Sequence, residues 1–234
     1  MKKLKKVSIV VPCYNEIQYI EEVINNIISN NIESKEIIVV DDYSTDGTIE
    51  VLQKLSQSLN IKVLFNEKNF GKGYCLRKGF KIATGEIIII HDADLEYDVS
   101  DHSKLLKPIL DNQADVVYGS RFIGSEAKRV VYFWNRLANF ILTNICNIFL
   151  NLSMTDVYTC LKAFKKNDIE GVKLIENRFG IEPEITFKLA RKKLVFYEVG
   201  IHYHGRTYAE GKKIKLLDAF YALFIILKLS FFSK

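Results

Sequence analysis

The chain has 234 residues, of which 48% are hydrophobic and 26% are charged, an ordinary balance for a globular protein and enough length for one large α/β domain. Lys and Arg number 33 and Asp and Glu number 28, which leaves a mildly basic net charge of +5. The four cysteines are widely spaced and form no CxxC or CxxH pair, which argues against a zinc site or a disulfide framework and suits reduced thiols in the cytosol.

The first 120 residues alternate between short runs rich in Val and Ile and longer segments with apolar residues at helical spacing. This alternation predicts strands joined by helices, and hence a mostly parallel sheet covered by helices on both faces. In chain order the predicted elements are the strand Val7–Pro12, the helix Ile17–Ser29, the strand Glu36–Asp41, the helix Gly47–Leu59, the strand Lys62–Asn66, the helix Phe70–Ala83, and the strands Glu86–His91 and Asp115–Tyr118.

The second half of the chain has a less regular pattern. A long helix is predicted over Val130–Leu150, and the stripe opposite its apolar side is polar but uncharged. A final helix, Leu216–Leu229, is apolar nearly all round, so it must be buried in protein or in lipid. We therefore predict one domain over residues 1–215 followed by an apolar, membrane-interfacial helix within 216–234. The remaining predicted elements are the strands Leu161–Phe164 and Leu194–Val199 and the helix Glu182–Arg191, and the uncharged stripe consists of Asn135, Asn139, Thr143 and Asn147.

No apolar run is long enough to cross a bilayer, since the longest, Ala219–Leu227, is well short of the ~20 residues required. Aromatic and basic residues beside the last helix suit peripheral attachment to a membrane surface, and we expect a cytoplasmic protein on the cytosolic face of the membrane. Packing of the two apolar helices on each other, or on a second subunit in a homo-oligomer, explains the same pattern. The flanking basic residues are Lys212, Lys213, Lys215 and Lys228.

An acidic loop follows the fourth predicted strand. Asp92 and Asp94 come directly after its apolar run, and Glu96 lies two residues further on. In parallel sheets, ligands bind beyond the carboxyl ends of the strands. Hard oxygen ligands on such a loop suit Mg²⁺ or Mn²⁺, and one such ion bridging a diphosphate neutralises charge as a sugar–phosphate bond breaks. The alternative is an acidic loop that caps the following helix.

Polar side chains also follow the first and second predicted strands. Asp41 and Asp42 end the second strand, where a carboxylate can accept hydrogen bonds from a nucleotide base or a ribose. Tyr14, after the first strand, can pack on a base, whereas Asn15 or Glu16 can instead start the helix. Asp46 is predicted to cap the helix that begins near Gly47.

Two glycine-containing segments carry basic residues. Lys72 lies between Gly71 and Gly73 without the spacing of a P-loop, so we interpret the segment as a tight turn with a cation near a nucleotide. Arg206 and Lys212 lie in a second segment that can close over phosphate groups, although a solvated basic loop is an equal alternative. The acidic loops would repel nucleic acid, which we do not expect as a partner.

Taken together, these segments resemble family-two glycosyltransferases of the Rossmann-like GT-A fold. Within that family the chain is most similar to the dolichyl-phosphate mannose synthases and bacterial polyprenyl-phosphate glycosyltransferases, over roughly residues 5–215. The motifs that carry the resemblance, in chain order, are Val10–Glu16, Asp41–Ser44, Asn69–Gly73, Asp92–Leu95 and Gly119–Arg121, joined by Asp156–Phe164, Glu176–Glu184 and Gly205–Lys213.

The resemblance implies a role for each matching residue. Asp92 and Asp94 would hold the metal and the diphosphate, with Glu96 as a third ligand at a position where the mannose synthases often have Gln. Asp94 and Arg121 are the expected catalytic residues, with Arg121 facing the reacting phosphate. The expected nucleotide-sugar-binding residues are Pro12, Tyr14, Glu16, Asp42, Lys72, Asp92, Arg206 and Lys212.

The resemblance further implies an inverting transfer of a sugar from a nucleotide-sugar donor to a polyprenyl phosphate. A phosphate acceptor is already an anion and needs no general base, so no catalytic histidine is expected. A sugar hydroxyl as acceptor would need one, and Glu182 or Glu184 is then the candidate. A non-catalytic nucleotide-binding module is a third hypothesis. The motifs do not identify the base or the sugar.

Overall fold

The computed structural model describes residues 5–126, 128–130, 132–207, 210 and 216–232; Lys212, one of the expected donor ligands, lies outside these ranges. The strands are β1 (Val7–Cys13), β2 (Lys35–Asp41), β3 (Lys62–Phe65), β4 (Ile87–Ile90), β5 (Val116–Ser120), β6 (Lys162–Lys165) and β7 (Phe196–Gly200). The helices are α1 (Ile20–Ser29), α2 (Thr48–Ser58), α3 (Lys72–Ile82), α4 (His102–Leu110), α5 (Phe133–Leu150), the single turn α6 (Lys166–Ile169), α7 (Ile181–Ala190) and α8 (Leu216–Phe232).

The described strands form one sheet in the order β3-β2-β1-β4-β6-β5-β7. β1 pairs in parallel with β2 and β4, and β5 pairs in parallel with β7. β6 runs antiparallel to both of its neighbours, β4 and β5. The carboxyl ends of β1, β2, β4 and β5 therefore lie along the same edge of the sheet, and this edge carries the predicted site.

The sheet is buried on both faces because alternate residues of its central strands pack against different helices. Ile9 and Val11 of β1 point to the layer that contains α1, α2 and α4, whereas Val10 points to the layer that contains α3, α5, α7 and α8. Each of these isoleucine and valine side chains contributes roughly 1.5–3 kcal/mol when fully buried. The predicted α/β sheet covered on both faces is confirmed.

Each predicted strand and helix is present, with ends that shift by up to three residues. α1 begins at Ile20 instead of Ile17 because the chain first makes a turn, in which the Tyr19 N–H donates to the Glu16 carbonyl at 3.0 Å. The helices α4, which contains Pro108 in its last turn, and α6 were not predicted. The antiparallel direction of β6 was not predicted either, because a hydrophobic pattern does not encode it.

The two apolar helices α5 and α8 pack against each other, and Phe149 contacts Phe231 with ring centroids 5.4 Å apart. α8 also packs on α7 and contributes Ile225 and Ile226 to the same core as the sheet. The boundary at residue 215 stays a prediction. Among the described residues, no helix combines the length and the hydropathy needed to cross a membrane.

Candidate active site

The end of β2 holds the loop before α3. The carboxylate of Asp42 accepts the N–H groups of Phe70 and Gly71 at 2.9 and 2.6 Å and the side-chain amide of Asn66 at 2.8 Å. Asp42 is buried, so it fixes the Asn69–Gly73 segment rather than facing solvent. The segment is tightly packed: a Cβ on Gly73 would lie 2.2 Å from the Glu176 carbonyl oxygen, so only glycine fits there.

The end of β1 forms a connected turn with the loop after β2. Asn15 has a positive φ of 50°, a conformation that asparagine tolerates, and its side chain accepts the Thr45 N–H at 2.8 Å. Thr48 accepts the N–H of Glu16 at 3.0 Å. Pro12 is buried in the strand, whereas the ring of Tyr14 is 39% exposed and is accessible to a ligand. Asp46 accepts the Thr48 N–H at 3.0 Å, as expected of a residue at the start of α2.

The end of β4 is joined to α3 by an ion pair. Nζ of Lys72 lies 2.7 Å from Oδ1 of Asp92 and 3.1 Å from Oε1 of Glu182, and it contacts Sγ of Cys160 at 2.8 Å. Burial raises the pKa of Asp92, but the charge of Lys72 and the hydrogen bonds from Cys160 and Lys72 together outweigh burial, so the pKa stays below its ordinary value. Glu182 also pairs with Lys162, which is fully buried. A chain of alternating charges therefore runs from the interior to Asp92.

The second aspartate of this loop is held by the C-terminal basic segment. Nη2 of Arg206 lies 2.6 Å from Oδ2 of Asp94, Nη1 lies 3.1 Å from Oε2 of Glu16, and Nε lies 3.2 Å from Oε1 of Glu96. Burial, followed by the charges of Asp92 and Glu96, raises the pKa of Asp94 to about 8, and Arg206 only partly opposes this shift. One guanidinium is thus surrounded by three carboxylates.

Arg121, at the end of β5, lies beside this acidic group. Its Nε and Nη2 atoms donate to the two oxygens of Asp156 at 2.7 and 2.8 Å, a bidentate pair. Burial lowers the pKa of Arg121, but its interactions with Asp156, Tyr97 and Tyr203 together outweigh burial and raise the pKa well above its ordinary value. Its guanidinium also lies 5.1 Å from the ring centre of Tyr203, whose hydroxyl donates to Glu96 at 2.8 Å. Arg121 therefore adjoins the Arg206 cluster through one tyrosine.

The expected metal ligands have the chemistry of a divalent-cation site. Asp92, Asp94, Glu96 and Glu16 converge on two cations, Lys72 and Arg206. Carboxylates outnumber cations among these side chains, and the pKa of Asp94 is raised first by burial and then by the negative charges of Asp92 and Glu96. No three acidic, histidine or cysteine side chains among the described residues already surround one cation position. The donor set fits Mg²⁺ or Mn²⁺ in its oxygen chemistry and its charge.

The two glutamates considered as a base are held by other groups. The Glu184 carboxylate is fully buried and accepts the N–H groups of Ile175 and Glu176 at 2.9 Å, which orients the loop before α7. It also pairs with Lys188 at 2.9 Å. Glu182 lies between Lys72 and Lys162, so it supports Asp92 rather than an open surface.

The histidines near the site pair with other protein groups. Nε2 of His102 lies 3.0 Å from Nδ1 of His91, and burial lowers the pKa of His91 to about 4, so that ring is neutral near pH 7. His202 contacts the buried carboxylate of Asp101 at 3.1 Å. These contacts give His91, His102 and His202 structural partners within the fold.

Two residues of this site were not among those expected from the sequence. Tyr203 and Lys162 became part of it only through folding, since each reaches a partner on a distant element. Lys162 could have been suspected, because a lysine inside the apolar run Leu161–Phe164 must find a counter-ion once the strand is buried. Tyr203 has no comparable signal.

A groove of about 210 Å³ lies between the Arg206 segment and the residues that precede α5. Arg129 lines it and pairs with Glu210 at 2.8 Å. α5 and α8, which pack against each other, both expose large apolar side chains, and we call this set of side chains the apolar face. The groove is lined by Arg129, Val130, Tyr132, Gly205, Arg206 and Thr207; the apolar face consists of Phe133, Trp134, Phe140, Ile141, Ile148, Phe149, Phe220, Tyr221, Phe224, Leu227 and Phe231.

The sequence is similar to several known proteins. A family model described as glycosyl transferase family 2 matches residues 8–172. A dolichol-phosphate mannosyltransferase of Pyrococcus furiosus is 32% identical over 215 residues, which are 89% of this chain and 60% of that protein. An uncharacterised protein of Methanocaldococcus jannaschii is 28% identical over 88% of this chain and 93% of its own length. The chain thus spans about 60% of the length of the Pyrococcus furiosus relative.

Two solved structures share the architecture. Glucosyl-3-phosphoglycerate synthase of Mycobacterium tuberculosis, crystallised with Mn²⁺, UDP and phosphoglyceric acid, superposes with a TM-score of 0.74 at 17% identity over 98% of this chain and 80% of that one. A mannosyltransferase of Pyrobaculum calidifontis in complex with GDP-Man and Mn²⁺ gives a TM-score of 0.63 at 23% identity over 87% of this chain and 57% of that one. These likenesses confirm the predicted GT-A fold.

Proposed function

Because the chain belongs to glycosyl transferase family 2, we propose that it transfers a sugar from a nucleoside-diphosphate sugar to a polyprenyl phosphate, with inversion at the anomeric carbon. The observation that carries this proposal is the convergence of Asp92, Asp94 and Glu16 with Lys72 and Arg206 at the carboxyl edge of the sheet. An edge that combines surplus carboxylates with two cations suits a metal-bound diphosphate.

The donor would lie across the ends of β1, β2 and β4. The exposed ring of Tyr14 is available to pack on the base, and Pro12, Glu16 and Asp42 shape the surrounding turn. Lys72 would contribute positive charge near the diphosphate. In this proposal Lys212 and Arg206 both bind phosphate groups of the donor.

Asp92 and Asp94, with Glu96, would hold Mg²⁺ or Mn²⁺. When bound, the cation neutralises charge on the departing diphosphate. Two solved relatives with the same fold were crystallised with Mn²⁺, which supports this assignment. Glu96 is held by Tyr203 and Arg206, so its part in metal binding requires that it exchange one of these partners.

The acceptor phosphate would enter the groove beside Arg129 and Arg206, with its chain along the apolar face. A phosphate oxygen attacks the anomeric carbon; the bond from that carbon to the diphosphate oxygen breaks, and its electron pair leaves with the nucleoside diphosphate. The acceptor is already an anion, so no proton has to be removed. Arg121 and Arg206 stabilise negative charge on the two phosphate groups.

The apolar face supports peripheral attachment to a membrane surface, which in this proposal is the cytosolic one. Monomeric proteins rarely expose so many large apolar side chains together, and a polyprenyl chain has to be reached from a bilayer. Lys228 on α8 lies near this face and pairs with Glu176 at 3.2 Å. A homo-oligomer that covers the same helices is the competing arrangement, and its formation would be seen as a concentration-dependent mass.

Release of nucleoside diphosphate tests the proposed reaction. Wild-type protein, a nucleotide sugar, Mn²⁺ and a polyprenyl phosphate in detergent should give product, whereas omission of the metal or replacement of the phosphate by the corresponding polyprenyl alcohol should not. Equal release with free sugars in place of the lipid would contradict a lipid acceptor. No release from any nucleotide sugar, with intact metal binding, would favour the binding-module hypothesis instead.

Transfer to a sugar hydroxyl is the alternative activity. It requires a general base, and the partners of Glu182 and Glu184 leave neither carboxylate directed at an open acceptor surface. Under this alternative, Glu184→Gln would abolish turnover and leave donor binding intact. Under the proposed function, the same change would act mainly on folding stability.

A further inference from the structure

Helix α5 presents its polar stripe to the interior and its aromatic residues to the outside. Asn139 and Thr143 are buried, whereas Trp134 is 72% and Ile148 is 77% exposed. An amphipathic surface helix ordinarily has the reverse orientation. Burial of an amide destabilises a protein unless every polar atom finds a partner, so the contacts of this stripe indicate what it is for.

The orientation of the Asn139 side chain is fixed by its neighbour one turn later. The Thr143 hydroxyl donates to Oδ1 of Asn139 at 3.0 Å, and the same hydroxyl accepts the Val157 N–H at 3.2 Å. Because the oxygen of Asn139 is used as an acceptor, its Nδ2 is directed away from Thr143. That nitrogen donates to Oδ1 of Asp156 at 2.8 Å.

Asp156 is fully buried and connects the stripe to Arg121. Its Oδ1 accepts from both Asn139 and Nη2 of Arg121, while Oδ2 accepts from Nε and from the backbone N–H of Arg121 at 2.7 and 3.1 Å. A bidentate pair requires the carboxylate and guanidinium planes to be aligned. The donor from Asn139 opposes rotation of the Asp156 carboxylate about its Cβ–Cγ bond.

We propose that Asn139 is a positioning residue for sugar transfer, which fixes the guanidinium of Arg121 through Asp156. This inference rests on the proposed function, in which Arg121 faces the reacting phosphate. Arg121 is only 15% exposed, so most of its orientation is set by these internal partners. The uncharged stripe of α5 thereby has a role in the site rather than in packing alone.

Asn139→Leu keeps the approximate volume and removes the donor, and Asn139→Ala is a second variant if leucine does not fit. Asn144→Leu is the matched control, because Asn144 lies on the same helix and donates to the Phe140 carbonyl at 2.8 Å. We expect kcat to fall about 10- to 100-fold in both Asn139 variants, as for a displaced catalytic group, while KM for the nucleotide sugar changes less than about twofold. The Asn144 control should keep the wild-type kcat. Wild-type kcat in the Asn139 variants would overturn the inference.

A second readout is independent of turnover. In ¹⁵N-labelled protein, the Nε–H of Arg121 should give a slowly exchanging resonance because it is buried against Asp156. In Asn139→Leu this resonance should exchange about tenfold faster or broaden, and in Asn144→Leu it should not change. If the Arg121 Nε–H exchanges at the same rate in Asn139→Leu as in wild type, Asn139 does not position Arg121, whatever reaction the protein catalyses. If instead the wild-type protein transfers no sugar to a polyprenyl phosphate, only the proposed function is refuted.

Discussion

Lys72, the first residue of α3, and Asp92, two residues after β4, form an ion pair of 2.7 Å. Both side chains are largely buried, and Glu182 contacts the same ammonium group. The pair joins the loop that would bind a metal to the helix that follows the glycine turn. Removal of either charge should therefore change both the stability of the fold and the position of the loop that would bind the metal.

Replacement of Lys72 should be strongly destabilising. Lys72→Met leaves Asp92 and Glu182 without their shared cation, and loss of one partner of a buried pair costs about 3 kcal/mol of unfolding free energy. The double variant Lys72→Met/Asp92→Asn should lose less unfolding free energy than the two single variants lose in sum. Urea unfolding of the four proteins in a double-mutant cycle measures this difference. Lys78→Met on the same helix is the control, since Lys78 donates to the Phe65 carbonyl and the Asn66 side chain and not to Asp92 or Glu182 among the described residues. Additive losses would contradict a direct coupling.

Divalent metal and nucleotide should stabilise the fold through Asp94. With Mn²⁺ and a nucleoside diphosphate at about 100 times its Kd, the free energy of unfolding should rise by about 2.7 kcal/mol, which a thermal shift detects. Asp94→Ala should remove the metal-dependent part of that shift. Asp98→Asn is the control, because Asp98 lies on the same loop but accepts from the Ser100 N–H. An equal shift in wild type and Asp94→Ala would refute the metal assignment.

Glu36 should make the stability of the protein sensitive to acid. Burial raises its pKa, but hydrogen bonds from Lys62, Ser8 and Thr84 outweigh burial and lower the pKa below its ordinary value of 4.5. A carboxylate whose pKa is lower in the folded protein than in the unfolded chain stabilises the fold wherever it is ionised in both states. The contribution of Glu36 is therefore fully present above pH 4.5, the ordinary value, and is lost as the pH falls from there through the lower pKa of the folded protein.

The test compares wild type with Glu36→Gln by urea unfolding at several pH values. Near pH 7 the variant should be less stable by about 1–3 kcal/mol, since it loses the charged hydrogen bonds to Lys6 and Lys62. The difference should shrink below pH 4.5, because Glu36 then takes up a proton in the unfolded chain while it stays ionised in the folded protein. A difference that is constant down to pH 2 would show that Glu36 does not carry this titration.

The exposed aromatic residues of the apolar face should bind lipid. Trp134 is exposed, so Trp134→Asp should reduce sedimentation with anionic phospholipid vesicles at least several-fold, while the melting temperature changes little. Ile28→Asp is a matched control, because Ile28 is exposed on α1, in the opposite helix layer. If both variants bind vesicles as well as wild type does, a protein partner for this face becomes the better explanation.

The strand ends could be located from the sequence because burial and polarity alternate locally. The Ile87–Ile90 run predicts a buried strand, and the aspartates after it predict an acidic edge, since parallel strands share their carboxyl ends. The order of the motifs likewise predicted the family. The antiparallel direction of β6 could not be predicted in this way, because the pattern of a buried strand is the same in either direction.

By itself the sequence determined which residues are buried along each strand and which polar residues follow it, because this information lies in spacings of two to four residues. Only the tertiary structure decided the partners of those polar residues. Arg206 reaches Asp94 across 112 positions, and Asn139 turns its amide inward although its helix exposes aromatic rings. Such pairings depend on how the helices pack on the sheet. A buried charged or polar group needs a hydrogen-bonding partner, and this packing decides which group lies close enough to serve as one.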